Sequence, residues 1–287
     1  MSEPRSAPTV LQMVLGRRLQ VLRSNAGLTA QDVGKRLRQA HTTITRMERA
    51  EVTLKWATVK VLLEIYGVEN DEAAEFLDLT DQANKPGWWQ GYRDALPDWF
   101  AVHVSLENSA TRMRGYEPHV VPGLLQTADY ARDVLRLGLP RVEPDELDRR
   151  VALRMERQAL LTRHDPPELW IIMDETVLRR PVGEPEVMQA QVDRLIEATD
   201  LPNVTLQVLE FTAGLHPGAF GPFTVFRFPM QDFPDVVCID SLSSARYSEE
   251  PLEVALHREV IDRMSAQALP MERTRNFLVG IRKELDS

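Results

Sequence analysis

The chain has 287 residues, 43% hydrophobic and 27% charged, the balance of a folded protein of about two domains. No apolar run approaches the roughly 20 residues of a membrane helix, and Met1–Arg5 lack the apolar core of a secretory signal. The single cysteine, Cys238, excludes an internal disulfide and a multi-cysteine zinc site, so a reducing cytoplasm is the expected setting. The net charge of −9 argues, taken alone, against a nucleic-acid partner. It is an average of two opposed parts: residues 1–60 hold eleven Lys/Arg and four Asp/Glu, net +7, and the remainder is net −16. Such asymmetry points to a nucleic-acid contact confined to one end.

Along the chain, Leu11, Leu15, Leu19 and Leu22 recur on one helical face over residues 9–24. Arg17, Arg18 and Arg23 largely avoid that face, and Gly27 is placed to end the helix in the left-handed conformation. Thr29, three residues before Asp32, reads as a capping box opening a second helix, residues 30–37, with Val33 and Leu37 inward. After a short turn a third helix, residues 41–48, buries Ile44 and Met47. A fourth over 57–66 buries Val59, Leu62, Leu63 and Tyr66, and a fifth covers 71–79. Two short helices joined by a tight turn within a five-helix module predict a helix-turn-helix.

The residues that carry this pattern are Gly27-Leu28-Thr29, Val33-Gly34, Leu37 and Thr43-Ile44-Thr45-Arg46-Met47-Glu48-Arg49. They resemble the Cro/repressor (XRE-type) DNA-binding domain, with Gly34 at the crowded crossing of the two helices. The chain departs from that pattern at Arg38, where the turn often has Gly, at Gln39, at Ala30, and at Ala40, which cannot cap the third helix. The resemblance implies that the start of the third helix enters the major groove. By position, His41, Thr42 and Arg46 would then meet base edges, Arg46 being able to pair bidentately with guanine. Arg36, Arg38, Arg49 and Lys55 would hold phosphates. The structural alternative for Arg46 is an ion pair with Glu48 or Asp32.

Asn84-Lys85-Pro86-Gly87 reads as a linker, which sets the domains at 1–83 and 84–287. Five aromatics follow within residues 88–100, read as a packing seam or a ligand wall. Helices are expected over 99–116, 128–137, 144–163, 186–198, 251–265 and 271–285. Arg149, Arg150, Arg154 and Arg157 of the helix at 144–163 form a basic stripe expected to be a solvated face. Strands are expected at 169–173, 204–209, 223–228 and 236–239. The fold class is therefore α+β: a five-helix module followed by a mixed α/β domain with a sheet of about four strands.

Trp88-Trp89, Tyr116-Glu117, residues 121–130 (Val-Pro-Gly-Leu-Leu-Gln-Thr-Ala-Asp-Tyr), Ala213–Gly218 and Gly221-Pro222-Phe223 resemble the large C-terminal domain of actinobacterial XRE-type regulators of the WhiJ kind. That resemblance implies a transcriptional regulator, often with a small acidic partner protein. No nucleophile elbow, phosphate loop or dinucleotide fingerprint occurs, and His103, His119, His164, His216 and His257 lack metal-ligand spacing. Cys238 is expected to behave as a buried hydrophobe, and Asp174-Glu175 as solvated acids. No enzyme activity, metal or cofactor is expected. Trp88, Trp89, His216 and Phe220 are the candidate ligand or partner pocket, His216 lying in a glycine-rich loop between two strands. The expectation is a homodimeric regulator binding a palindromic or repeated operator in double-stranded DNA, with a small-molecule or small-protein signal at the second domain. The alternative is an interaction hub or antitoxin-like partner of a small acidic protein.

Overall fold

The computed structural model describes residues 9–85, 87–92, 95–139, 141–229, 234–241 and 243–286. Residues Met1–Arg5, and Pro86 of the expected linker, lie outside them. The chain divides into two compact units, Met1–Gln90 and Gly91–Ser287.

The first unit is built from α1 (Val10–Asn25), α2 (Ala30–Leu37), α3 (His41–Glu48), α4 (Trp56–Tyr66) and α5 (Asn70–Ala83). Its core gathers Leu15, Leu19, Val33, Ile44, Leu54, Val59, Leu62, Leu63 and Phe76. The capping box of α2 forms: Asp32 N donates to Thr29 Oγ1 at 3.2 Å, and Thr29 N donates to Asp32 Oδ2 at 3.0 Å. Two tight crossings fix α3. A Cβ on Gly34 would stand 2.8 Å from the Gln39 carbonyl oxygen, and one on Gly16 of α1 would stand 2.5 Å from that of Glu48. The turn before α3 places Arg38 at φ 55, and Ala50 just beyond α3 has φ 54. Both are left-handed without being glycine, a conformation that costs an L-residue about 1–2 kcal/mol. The fifth helix outruns its expected end by four residues, and Asn84 stays with this unit, its Nδ2 donating to the Leu54 carbonyl at 2.8 Å.

The second unit holds a six-stranded sheet, not about four. Its strands are β1 (Arg112–Glu117), β2 (Glu168–Asp174), β3 (Val204–Leu209), β4 (Phe223–Arg227), β5 (Val236–Asp240) and β6 (Ala245–Ser248), in the order β3-β2-β1-β4-β5-β6. β1 pairs parallel with β2 and antiparallel with β4. The expected helix over 99–116 is instead α6 (Asp98–Ser109) followed by β1. Met113 and Tyr116 fit a helical spacing as well as a strand, which hid the change of period. β6 is a four-residue edge strand without a buried face, so no apolar alternation announces it.

Around the sheet lie α7 (Ala128–Gly138), α8 (Pro144–Arg157), α9 (Glu175–Arg179), α10 (Pro185–Ala198), α11 (Pro251–Gln267) and α12 (Met271–Glu284). The helix expected over 144–163 stops at Arg157 and tightens into a 3-10 turn over Gln158–Leu161. Side chains alternate across the sheet, as a period of two demands. Tyr116, Ile172, Phe223, Val225 and Val237 pack on α11 through Val254, Ile261 and Met264. The opposite face presents Met113, Ile171, Thr224 and Phe226 to a space roofed by α6, α7 and α8.

Candidate functional site

In the first unit, α3 turns Ile44 and Met47 into the core and leaves His41, Thr42 and Arg49 exposed, with Arg46 half-buried. Arg36, Arg38 and Lys55 are exposed as well. Arg46 does not pair with Glu48 or Asp32. Its Nε stands 3.6 Å from Glu51 Oε2, and Arg49 shares that carboxylate at 4.0 Å. Such exposed, loosely held pairs contribute little and leave both guanidinium groups available. Glu48 is instead buried in a pair that sequence reasoning missed. Arg23 Nε and Nη2 donate to its two oxygens at 2.6 and 3.1 Å, while Nη1 donates to the Leu28 carbonyl at 2.8 Å. This clamp ties the end of α1 to the end of α3. Ala40 provides no side-chain cap for α3, and the Thr43 N–H donates to the Ala40 carbonyl at 2.9 Å instead.

In the second unit the space between sheet and roof is a cavity of about 530 Å³. Trp99, Phe100 and Phe226 supply aromatic walls, and residues 119–124 with Gln126 form one side. Gly115 keeps the floor low, since a Cβ there would meet Thr224 Oγ1 at 3.0 Å and Ile171 Cδ1 at 3.1 Å. The basic stripe of α8 is not a solvated face throughout. Arg150 does pair within the helix, donating to Glu146 at 2.5 Å, and Arg149 lies over the Tyr92 ring and donates to the Gly91 carbonyl. Arg154 and Arg157 line the cavity, and so does Arg150. Arg154 Nη1 donates to Gln126 Oε1 at 2.8 Å; burial, then the neighbouring Arg157, pulls its guanidinium down to about 10.

Arg157 grips Glu107 through two hydrogen bonds of 2.8 and 2.6 Å, both side chains being about 5% exposed. Burial pushes the Glu107 carboxyl up, but Arg157 and His103 outweigh it and hold the group at about 2. His103 Nε2 stands 3.1 Å from Glu107 Oε1, and its ring is stacked on Phe100. On the far side of the imidazole, Nδ1 lies 3.6 Å from Cys238 Sγ and 4.0 Å from Asp240 Oδ2. The thiol donates to Asp240 Oδ1 at 2.9 Å. Burial, then Asp240, pushes the thiol well above its usual range. Glu117, at the end of β1, also lines the cavity, and burial followed by repulsion from Asp240 raises its carboxyl to about 8.

The four residues expected to form a pocket are divided between the two units, two in each. Trp88 and Trp89 belong to the first unit, Trp89 buried and packed edge-on against Trp88. Neither His216 nor Phe220 lines the cavity of their own unit. His216 stands edge-on to Tyr116, with Nε2 3.7 Å from Asp174 Oδ2, and its buried Nδ1 has no hydrogen-bond partner among the described residues. Phe220 is 99% exposed. Asp174 and Glu175 are not simply solvated. Asp174 caps α9 by accepting from Thr176 N at 2.8 Å, and buried Glu175 accepts from Phe211 N at 2.9 Å. Cys238 is buried as expected, yet it has polar neighbours. The signals for the cavity lay in Gly115 within a strand and in the arginines of α8, but its members come from separated segments scattered from Ala95 to Ser241.

The first unit thus has the architecture of a helix-turn-helix module with an outward-facing third helix, and residues 14–76 match the family described as Helix-turn-helix domain. Residues 100–279, more than half of the chain, match the family described as Domain of unknown function (DUF5753), and the chain belongs to that family. No curated protein and no solved structure matches it. A helix-turn-helix domain points to DNA binding and to regulation of transcription. Among the described residues no helix is long and apolar enough to cross a membrane.

Proposed function

We propose that this protein is a sequence-specific, non-enzymatic transcriptional regulator of the XRE type, close to the WhiJ kind, acting in the cytoplasm. The observation that carries the reading is the exposed front of α3. His41, Thr42 and Arg46 face outward from a helix pinned by Ile44, Met47 and the Arg23–Glu48 clamp, with basic side chains on both flanks. Base edges are read by the first three and phosphates are held by Arg36, Arg38, Arg49 and Lys55. The second unit dimerises and receives a signal, which makes the operator palindromic or repeated. Dimerisation is supported by Leu215, Phe220, Leu252 and Leu256, all more than half exposed, on a loop and on the helix α11. The aromatic-walled cavity supports a small-molecule effector.

The test is a gel shift with the protein's own promoter region at two salt concentrations. The wild type should prefer that DNA over random sequence, and Arg46→Ala should lose the preference. Unchanged selectivity in Arg46→Ala would refute the assignment of α3. A second reading, an interaction hub for a small acidic protein, is favoured by the +7 charge of residues 1–60. It predicts that such a partner competes with DNA, and a partner that binds equally well to residues 84–287 alone would exclude it.

A further inference from the structure

We infer that His103, Cys238 and Asp240 form a binding site for one divalent transition metal ion of the zinc and cobalt class. The ligand atoms His103 Nδ1, Cys238 Sγ and an Asp240 carboxylate oxygen lie within 4.8 Å of one another. Bonds of about 2.0–2.3 Å at tetrahedral angles hold such atoms about 3.3–3.6 Å apart. The observed separations of 3.6 Å for Nδ1 to Sγ and 4.0 Å for Nδ1 to Oδ2 need only small shifts. The 2.9 Å contact between Sγ and Oδ1 is a hydrogen bond that opens when the metal replaces the thiol proton.

Three further features are those of a built site. The imidazole is aimed from behind: with Nε2 donating to Glu107 at 3.1 Å, Nδ1 keeps its lone pair toward Cys238 and Asp240. Glu107 is itself held by two hydrogen bonds from Arg157, so the ring is oriented by a carboxylate in the manner of metal-bound histidines. The stacked Phe100 and the edge-on Phe226 stop the ring from turning. The donor set of one imidazole, one thiolate and one carboxylate favours zinc, cobalt or iron over magnesium or calcium. His103 and Asp240 line the cavity, so the fourth coordination position opens into it, where water or a small ligand completes the shell. On binding, three metal–ligand bonds form and the Cys238 thiol proton passes to solvent. The site is independent of whether the protein binds DNA.

The experiment uses the untagged full-length chain, stripped with a chelator, dialysed and titrated with Co²⁺. The expected result is one equivalent bound, with the visible bands of a tetrahedral ion and a thiolate-to-cobalt charge-transfer band in the near ultraviolet. Zn²⁺ should abolish both by displacement. Cys238→Ser should remove the charge-transfer band. Asp240→Asn, at an exposed carboxylate that packing does not need, should weaken binding at least tenfold with an unchanged circular dichroism spectrum. Should Cys238→Ser not fold, the wild-type spectrum and Asp240→Asn decide the matter. Absence of stoichiometric binding by the wild type, binding without the thiolate band, or unchanged affinity in Asp240→Asn overturns the site.

Discussion

Replacing Arg23 by Met removes one member of the buried clamp that holds the end of α3. Three hydrogen bonds go at once, the shortest 2.6 Å. The Glu48 side chain, only 5% exposed, is left charged without its partner, and the Leu28 carbonyl loses its donor. Removing one partner of a buried pair costs about 3–5 kcal/mol. Arg23 is 13% exposed, so the lower end, about 3 kcal/mol, is expected. That is a large share of the roughly 5–15 kcal/mol that stabilises a typical domain. Amide hydrogen exchange on the full-length protein reads this locally. Amides of α1 and α3 should exchange roughly 100-fold faster, at about 1.4 kcal/mol per tenfold, while those of β1 and β2 should not change. Adding Glu48→Leu to Arg23→Met removes the stranded charge as well, and exchange should return to within about tenfold of wild type. The reasoning fails if Arg23→Met accelerates α3 by less than about fivefold, or if the second substitution makes exchange faster still.

Lys55→Ala should weaken binding to operator and random DNA alike and lower the slope of log affinity against log salt by about one, measured by fluorescence anisotropy. Arg38→Gly relieves the left-handed strain at φ 55. It should stabilise the first unit by about 0.5–1 kcal/mol in urea unfolding, part of the strain being offset by the freer unfolded chain, while DNA affinity falls. For Glu117 the ordinary carboxyl value is 4.5 and the folded value about 8. Between those values the unfolded chain is ionised and the folded chain keeps its proton, so stability is lost as pH rises from about 4.5 to about 8. Thermal unfolding of Glu117→Gln should match wild type near pH 4.5 and exceed it near pH 8; parallel curves would refute this.

The first unit was legible because its signals are local. The Thr29–Asp32 box, the leucines of α1 and the inward Ile44 and Met47 each lie within one helix and one period. What escaped notice there depends on distance. Gly16 beside the Glu48 carbonyl and the Arg23–Glu48 pair join α1 to α3, and no spacing rule links them. In the second unit the four apolar strands stood out, whereas β1, with arginines alternating about Met113, and the short edge strand β6 did not. The cavity was less legible still. Arg150, Arg154 and Arg157 share a helical stripe with Arg149, yet those three line a cavity wall and Arg149 does not, and only tertiary packing decides which. His103 and Cys238 meet across 135 positions, beyond any motif. The expected grouping of Trp88, Trp89, His216 and Phe220 rested on residue type alone, and its members fall two in each unit.

The place of β1 in the sheet has a consequence for how the protein comes into being. Its two neighbours are β2 and β4, and Thr111 bonds to Arg227 across 116 positions. The centre of the sheet therefore cannot close until residue 227 has left the ribosome, roughly 6–23 s after β1 at about 5–20 residues per second. The helices of the first module all lie within Val10–Ala83, so it closes without waiting for later chain and, being helical, folds on a far faster scale. Each newly made chain thus carries a finished helix-turn-helix module for seconds before its second unit exists; on the function proposed above, control by that unit would start late in the life of every molecule.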